Sequence, residues 1–223
     1  MIAVFRRSGL RQIQAPLDQA ELTPDLVIVS DEIHCDLVLD EGKRHVPIAS
    51  LAPEVSRRTV TLMSPNKSFN FPSAGCAWAI IEDENLRKTF SADLNAHVLP
   101  SPSLFGYAAS LAALREGDAW LRAQIDYLRA NRDLVEEKIG LPMAHVEATY
   151  LAWIDCSPLG PGNAFEFFLK NGVALSPGAQ FGEPRFVRLN FGTQRKLLEK
   201  ALERMSAAIR TSSRPSPDRK SVV

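Results

Sequence analysis

The sequence lacks an apolar run long enough to cross a lipid bilayer, so no transmembrane helix is expected. It also lacks a charge excess, because 26 lysine and arginine residues balance 26 aspartate and glutamate residues. No net field then favours nucleic acid or an anionic membrane, and we expect neither as a partner. The opening residues, MIAVFRR, place an apolar patch before positive charge, the reverse of signal-peptide order. We therefore expect a cytoplasmic protein.

Cysteine is scarce, with three residues that are widely spaced and lie in apolar runs: Cys35, Cys76 and Cys156. An odd, scattered set does not form a disulfide framework, and it is typical of buried thiols in a reducing compartment. The sequence contains no CxxC motif and no His/Cys pair with metal-ligand spacing. We expect structural cysteines and no metal.

The sequence does contain apolar strand-like runs that alternate with helical patterns, which predicts an α/β fold. A run at residues 26–29 predicts a strand buried on both faces, and a second strand is predicted at 59–63. Asp31 follows the first run, and Ser64 and Lys67 follow the second. Because ligands bind beyond the carboxyl ends of strands in open α/β sheets, we expect these side chains at one site.

These three side chains have the chemistry needed to hold pyridoxal phosphate. The amine of Lys67 is a candidate for an imine with the cofactor aldehyde. The carboxylate of Asp31 can keep the pyridinium nitrogen protonated, and the hydroxyl of Ser64 can bind phosphate.

Four motifs extend this interpretation along the chain: SDEIHCDL at 30–37, SPNKSFN at 64–70, EATYLAW at 147–153, and SPGAQFG at 176–182 with FVRLNF at 186–191. With them the chain resembles the fold-type-I pyridoxal-phosphate enzymes of the class I/II aminotransferase family, in particular the cystathionine β-lyase-like C–S lyases. The resemblance covers roughly residues 26–205 and corresponds to the C-terminal half of a family member. We therefore expect a C-terminal fragment.

The resemblance implies the C-terminal part of a large domain, with a mostly parallel sheet and helices, followed by a small α/β domain. The expected division is an atypical segment at 1–25, a partial cofactor-binding domain at 26–115, a small domain at 116–210 and a disordered tail at 211–223. The resemblance also implies a homodimer.

The resemblance assigns five site residues. Lys67 is the catalytic residue, and Asp31, His34, Ser64 and Lys67 bind pyridoxal 5'-phosphate. His34 lies three residues after Asp31 and is expected near the 3'-oxygen of the ring. Arg188 is expected to hold the substrate α-carboxylate, a task that suits a planar guanidinium.

The expected reaction is C–S β-elimination from cystathionine or cysteine-type amino acids, which releases a thiol, pyruvate and ammonia. An aminotransferase is the alternative within the family. A non-catalytic truncated remnant is the alternative of another class, since the N-terminal phosphate-binding turn, the ring-stacking aromatic and the Asn-Pro-x-Gly segment of such enzymes have no counterpart here. Residues 68–85 also contain no basic residue.

Other interpretations of the same residues remain open. Lys67 alone fits a solvated loop lysine, Asp31 a turn cap, His34 an interior histidine, and Arg188 the partner of a structural carboxylate. Ser64-x-x-Lys67 also matches the nucleophile motif of β-lactamases and penicillin-binding proteins. Its companion motifs Ser-Asp-Asn and Lys-Thr-Gly are absent from the sequence.

Overall fold

The computed structural model describes residues 2–6, 9–12, 26–96 and 102–212. The chain divides into two compact units, which are Met1–Val38 with Gly42–Ala123 (unit 1) and Leu39–Glu41 with Gln124–Val223 (unit 2). The division falls within one helix, and the predicted domain boundary between residues 115 and 116 stays a prediction. A disordered tail was predicted at 211–223; Thr211 and Ser212 are helical, and residues 213–223 lie outside the described part of the chain.

Unit 1 contains a five-stranded sheet in the order β2-β1-β3-β4-β5. Its elements are β1 Ile2–Arg6, β2 Gly9–Gln12, β3 Val27–Asp31, α1 Pro53–Ser56, β4 Thr59–Met63, β5 Trp78–Ile81, α2 Glu84–Ala96, α3 Leu104–Glu116 and the start of α4 Asp118–Lys138. The two strands predicted to carry the site are β3 and β4, and they pair in parallel with Asp31 opposite Leu62. Their carboxyl ends therefore lie at one edge of the sheet.

The parallel content of this sheet is smaller than expected, because β3 and β4 form the one parallel pair among the described strands. A parallel neighbour needs a crossover that returns the chain to the same edge. The 14 residues between Met63 and Trp78 form turns and one short 3-10 helix instead, so β5 runs antiparallel to β4. Strands β1 and β2 lie within residues 1–25, which the sequence predicted to be an atypical segment.

The burial of β3 also differs from the expectation of a strand covered on both faces. Ile28 and Ser30 are buried, whereas Val27 and Val29 are half-buried. Successive side chains of a strand point to opposite faces of the sheet. One face of β3 is thus fully packed and the other is partly covered by the described residues.

Unit 2 is built on a three-stranded antiparallel sheet in the order β6-β8-β7. Its elements after α4 are β6 Leu151–Asp155, α5 Ala164–Lys170, β7 Ser176–Pro177, β8 Phe186–Asn190 and α6 Arg195–Ser212. Its core includes side chains that are at most 1% exposed on α4, β8 and α6: Val135, Val187, Leu198, Leu202 and Met205. Strand β7 is the shortest described strand, with two residues. The central strand of this sheet is β8.

The three cysteines are free thiols. Cys76 and Cys156 are buried as predicted, whereas Cys35 is half-buried. Burial raises the pKa of Cys156 to about 12 and that of Cys35 to about 11. Cys35 and Cys156 therefore lack the low thiol pKa of a nucleophilic cysteine.

None of the described helices combines the length and the apolar character needed to cross a membrane. The described residues also contain no group of three or more His, Cys, Asp or Glu side chains arranged to hold a metal ion. The cytoplasmic location stays a prediction.

Candidate functional site

Asp31 is the last residue of β3 and is half-buried. Its Oδ1 accepts a long hydrogen bond of 3.4 Å from the backbone N–H of Ile33. The next backbone N–H, of Glu32, donates to the carbonyl oxygen of Leu62 on β4 at 2.9 Å. The parallel pairing thus extends to the residue that follows Asp31 and fixes its backbone at the sheet edge.

Lys67 lies in the loop that leaves β4, and its side chain is half-buried. The loop is a series of tight turns, in which the N–H of Phe69 donates to the carbonyl of Pro65 at 2.9 Å and that of Phe71 to Asn66 at 3.1 Å. Asn70 closes the series with a positive φ of 54°. Asparagine tolerates this left-handed conformation better than most residues. The SPNKSFN motif therefore forms a defined loop around Lys67.

Ser64 fastens this loop to the chain that enters β5. Its hydroxyl donates to the carbonyl oxygen of Cys76 at 2.7 Å and accepts from the N–H of Asn66 at 3.3 Å. A serine hydroxyl has a single proton to donate. In this conformation Ser64 holds the loop in place, and it would have to release Cys76 before it could donate to a phosphate.

His34 lies in the turn that follows β3 and is half-buried. The turn is closed by the N–H of Cys35, which donates to the carbonyl of Glu32, and by the N–H of Leu37, which donates to that of His34, both at 3.0 Å. Leu37 is fully buried and anchors the turn in the core. Asp31, His34, Ser64 and Lys67 therefore lie in one unit, on loops that leave two adjacent parallel strands.

Glu32 is a part of this region whose role sequence reasoning missed. Its side chain is 4% exposed. The carboxylate accepts from the Ser30 hydroxyl at 2.8 Å and the Ile48 N–H at 3.1 Å, and it contacts His45 Nε2 at 2.7 Å. Burial alone would raise the pKa of Glu32, but the hydrogen bonds from His45, Ser30 and Ile48 outweigh it and lower the pKa. The only sequence signal was its place in the DEIH motif, which does not reveal these partners.

Arg188 lies on β8 in unit 2, opposite Trp153 of β6 and Ser176 of β7. Its guanidinium carbon is 4.5 Å from the centre of the Phe181 ring, and Nη2 is 3.5 Å from the Ser176 hydroxyl. Trp153 meets Phe181 edge to face at 5.7 Å and stacks on Phe186 at 5.3 Å. The Arg188 guanidinium thus packs on Phe181, which belongs to a cluster of three aromatic rings.

Among the described residues, no carboxylate lies within 4.0 Å of the Arg188 guanidinium. A half-buried arginine held by a ring and one hydroxyl retains donors for an external anion. The alternative in which Arg188 pairs with a structural carboxylate has no support in the described part of the chain. The structure describes Arg188 within unit 2 and the other four site residues within unit 1, so the assembled site stays a prediction.

The EATYLAW motif contains a strained residue that the sequence does not reveal. Thr149 has a φ of 67°, which is uncommon for a β-branched side chain. It precedes Tyr150, whose carbonyl accepts from the Phe191 N–H at 2.9 Å and whose pKa is raised by burial. A Cβ on Gly192 would lie 3.0 Å from the Tyr150 ring. The motif therefore joins the start of β6 closely to the end of β8.

Comparison with known proteins shows extensive similarity to one family. The family model "Aminotransferase class I and II" matches residues 11–205. Cystathionine beta-lyase PatB of Bacillus subtilis (strain 168) is 34% identical over 213 residues, which are 91% of this chain and 55% of PatB.

Solved structures show the same relationship. The crystal structure of OvoB is 48% identical with a TM-score of 0.78, over 83% of this chain and 50% of that chain. A PLP-bound C-S lyase from Staphylococcus hominis is 33% identical with a TM-score of 0.71, over 81% of this chain and 46% of that chain. The fold expected from the sequence is thereby confirmed. The chain spans about half the length of the relatives that it matches.

Proposed function

Because the chain belongs to the class I and II aminotransferase family, we propose that it supplies the lysine-bearing part of a pyridoxal 5'-phosphate-dependent C–S β-lyase. The substrate class is amino acids with a sulfur leaving group on Cβ, of which cystathionine and cysteine are examples. Similarity to a protein named cystathionine beta-lyase over 91% of this chain supports the choice of lyase. A homodimer is part of the same proposal.

The geometry that carries the proposal is the parallel pairing of β3 with β4. It places Asp31 and the SPNKSFN loop at the same edge of the sheet, in register with each other. This edge is the place where ligands bind in open α/β sheets. An amine, a carboxylate and an imidazole then lie at or just after the carboxyl ends of two paired strands.

These residues fit the ring of the cofactor. Lys67 would bind it covalently, Asp31 would face the pyridinium nitrogen, and His34 would donate to the ring oxygen. The Ser64 hydroxyl is the candidate donor to the phosphate, and in this structure it donates to the carbonyl oxygen of Cys76. When bound, the cofactor supplies a sink for the electron pair that is left at the substrate Cα.

The protein residues bind the substrate and move the proton. Arg188 would hold the substrate α-carboxylate through two parallel N–H donors and so orient the Cα–H bond. Lys67, as a free amine, would remove the Cα proton as general base. Loss of thiolate from Cβ then completes β-elimination, and hydrolysis of the enamine product gives pyruvate and ammonia.

The test is cofactor binding by the full chain. We expect added pyridoxal 5'-phosphate to give a visible absorbance band, and borohydride reduction to leave the cofactor mass on the peptide that contains Lys67. Lys67→Ala should lose both signals. Lys170→Ala, which removes an exposed lysine at the end of α5, is the matched control and should keep both.

Two results would decide against the proposal. A folded wild-type chain without any band would favour the non-catalytic remnant. A band that survives in Lys67→Ala would place the covalent attachment elsewhere.

An aminotransferase is the second candidate, favoured by the family model itself. The two activities differ in their products and in their need for a second substrate. A lyase should release thiol and pyruvate from cystathionine alone. An aminotransferase should form a keto acid only when an amino acceptor is supplied, and that result would replace the lyase assignment.

A further inference from the structure

A short segment, Leu39–Glu41, groups with unit 2, although the residues on both sides of it group with unit 1. We call this segment the strap. The N–H groups of Leu39 and Asp40 both donate to the carbonyl oxygen of Glu147, at 2.8 and 3.1 Å. Arg129 Nε donates to the carbonyl of Leu39 at 2.7 Å, and the Leu39 side chain is fully buried. The strap is therefore held by three hydrogen bonds to its backbone and by burial of the Leu39 side chain.

The side chain of Asp40 adds a second set of contacts. Arg132 Nη1 donates to its Oδ1 at 2.5 Å, and His145 Nε2 lies 3.0 and 3.2 Å from its two oxygens. Arg132 is 6% exposed, and its Nη1 also donates to the carbonyl of Val146 at 3.1 Å. A buried guanidinium and an imidazole thus meet on one carboxylate.

The imidazole of His145 has a carboxylate at each nitrogen. Nε2 faces Asp40, and Nδ1 lies 2.8 Å from Oε1 of Glu136, a residue of α4. Ionised carboxylates only accept hydrogen bonds, so both contacts need an N–H on the ring. A neutral imidazole has one N–H, and the imidazolium has two. These two contacts are satisfied together when His145 is protonated.

We propose that His145 is a proton-dependent clamp on the strap, which holds Asp40 when it is protonated and weakens its hold when it loses the proton. After deprotonation the ring keeps one N–H, and its other nitrogen turns a lone pair towards a carboxylate. Arg132 still holds Asp40 from the buried side. The strap then loosens without complete release.

The charged groups around the ring support this direction. Asp40 on the strap and Glu136 on α4 face His145, as does the cation Arg132, whose Nη1 is 3.4 Å from Nε2. Arg132 is itself balanced by Asp133 at 2.9 Å. The hydrogen bond to Asp40 and the charges of Asp40 and Glu136 raise the pKa of His145 above its ordinary value of 6.5. Because the folded-state pKa is raised, the clamp is fully closed below the ordinary value of 6.5. It opens as the pH rises through the folded-state pKa.

The experiment is hydrogen exchange of the full chain at pH 6 and pH 9, corrected for the intrinsic exchange rate. The amides of Leu39 and Asp40 report the strap directly. In the wild type we expect their protection to fall about two- to fivefold between the two pH values, the range of a half-exposed ion pair. In His145→Gln the protection should be lower at pH 6 and should change little with pH.

Glu136→Gln removes the carboxylate that faces Nδ1 of His145, and Glu137→Gln is its matched control. Glu137 contacts Lys138 at 3.4 Å on the exposed side of α4, so its variant should keep the wild-type pH response. Glu136→Gln should lose most of it. Equal pH responses in the wild type and His145→Gln would overturn the proposal.

An NMR titration of the His145 ring provides a second measurement that does not require a stable His145 variant. We expect a ring pKa above 6.5 in the wild type and a lower one in Asp40→Asn. A pKa at or below the ordinary value in the wild type would also overturn the proposal. Neither measurement depends on cofactor binding.

Discussion

At the scale of single residues, Asp31 and Glu32 are neighbours at the end of β3, but their carboxylates lie in different environments. Glu32 points into unit 1 and is satisfied by Ser30, His45 and Ile48. Asp31 is half-buried at the sheet edge and is the candidate for the cofactor. Adjacent side chains at a strand end point in opposite directions, so the Glu32 carboxylate packs into the core while that of Asp31 stays a candidate for the site.

Substitution of Glu32 by glutamine should destabilise the protein. The amide keeps acceptor capacity but loses the charge-assisted contacts with His45 and Ser30, so we expect a loss of about 1–3 kcal/mol in the free energy of unfolding. Chemical denaturation at neutral pH measures this change in the free energy of unfolding. Glu54→Gln, at an exposed position of α1, is the control and should change the free energy by less than about 0.5 kcal/mol.

The pH dependence of the Glu32 variant follows from the sign of the shift. The pKa of Glu32 is lowered from its ordinary value of 4.5 in the folded protein. A group with a lowered pKa contributes stability above its unfolded-state value, and this contribution disappears as pH falls through the folded-state value. The difference between wild type and Glu32→Gln should therefore shrink as pH falls below 4.5. A difference that grows on acidification would contradict this role.

At the scale of elements, the short 3-10 turn Gly178–Phe181 positions β8 and hence Arg188. The turn places Phe181 under the Arg188 guanidinium. The N–H of Glu183 donates to the carbonyl of Gly178 at 3.1 Å, and Gly178 is buried. The motif SPGAQFG contains glycine at its third position because two backbone segments approach each other there.

Gly178→Ala should disrupt this approach. A Cβ at residue 178 would overlap the backbone oxygens of Glu183 and Phe186, which cannot move without shifting β8. We expect a loss of about 2–4 kcal/mol in the free energy of unfolding, in the range of severe core overpacking. Thermal or chemical denaturation measures this loss. Gly162→Ala is the control, since its Cβ meets nothing within 4 Å, and an equal loss in both variants would refute the steric explanation.

At the scale of the whole molecule, α3 carries more exposed apolar surface than an isolated soluble unit usually shows. Its exposed large side chains are Leu104 (80%), Phe105 (83%), Tyr107 (58%), Leu111 (49%) and Leu114 (54%). Four of them follow a 3-4-3 spacing and form one stripe along the helix. Contiguous apolar patches of this kind mark surfaces that are covered by other polypeptide.

The chain by itself should therefore associate with itself. We expect light scattering after size-exclusion chromatography to show a mass above that of the 24.6 kDa monomer, increasing with concentration. The double variant Phe105→Glu with Leu111→Glu should weaken association about tenfold or more, because burial of each large apolar side chain contributes about 1.5–3 kcal/mol. Leu197→Glu, at a 59% exposed leucine of α6, should leave the mass unchanged. Unchanged association in the double variant would exclude α3 as the cause.

Local patterns were sufficient for the two strands that carry the candidate site residues. Strand β4 occupies the predicted residues, and β3 differs from the predicted strand by one residue at its start and two at its end. Continuous β-branched runs are local signals, which is why these two strands could be predicted from the sequence. The orientation of β5 could not be predicted from local sequence patterns, because it depends on the path of the turns between β4 and β5.

The sequence by itself determined the family, because the motifs that identify it consist of contiguous residues. The same motifs predicted the candidate site residues Asp31, His34, Ser64, Lys67 and Arg188. Only the tertiary structure decided which groups meet across long separations. Asp40 and His145 lie 105 residues apart, and Ser64 and Cys76 are joined by a hydroxyl-to-carbonyl bond that no pattern encodes. Hydrogen-bond partners are set by where the packed chain brings two groups within about 3 Å. The sequence alone therefore predicts candidate site residues, and folding decides which of their donors remain available.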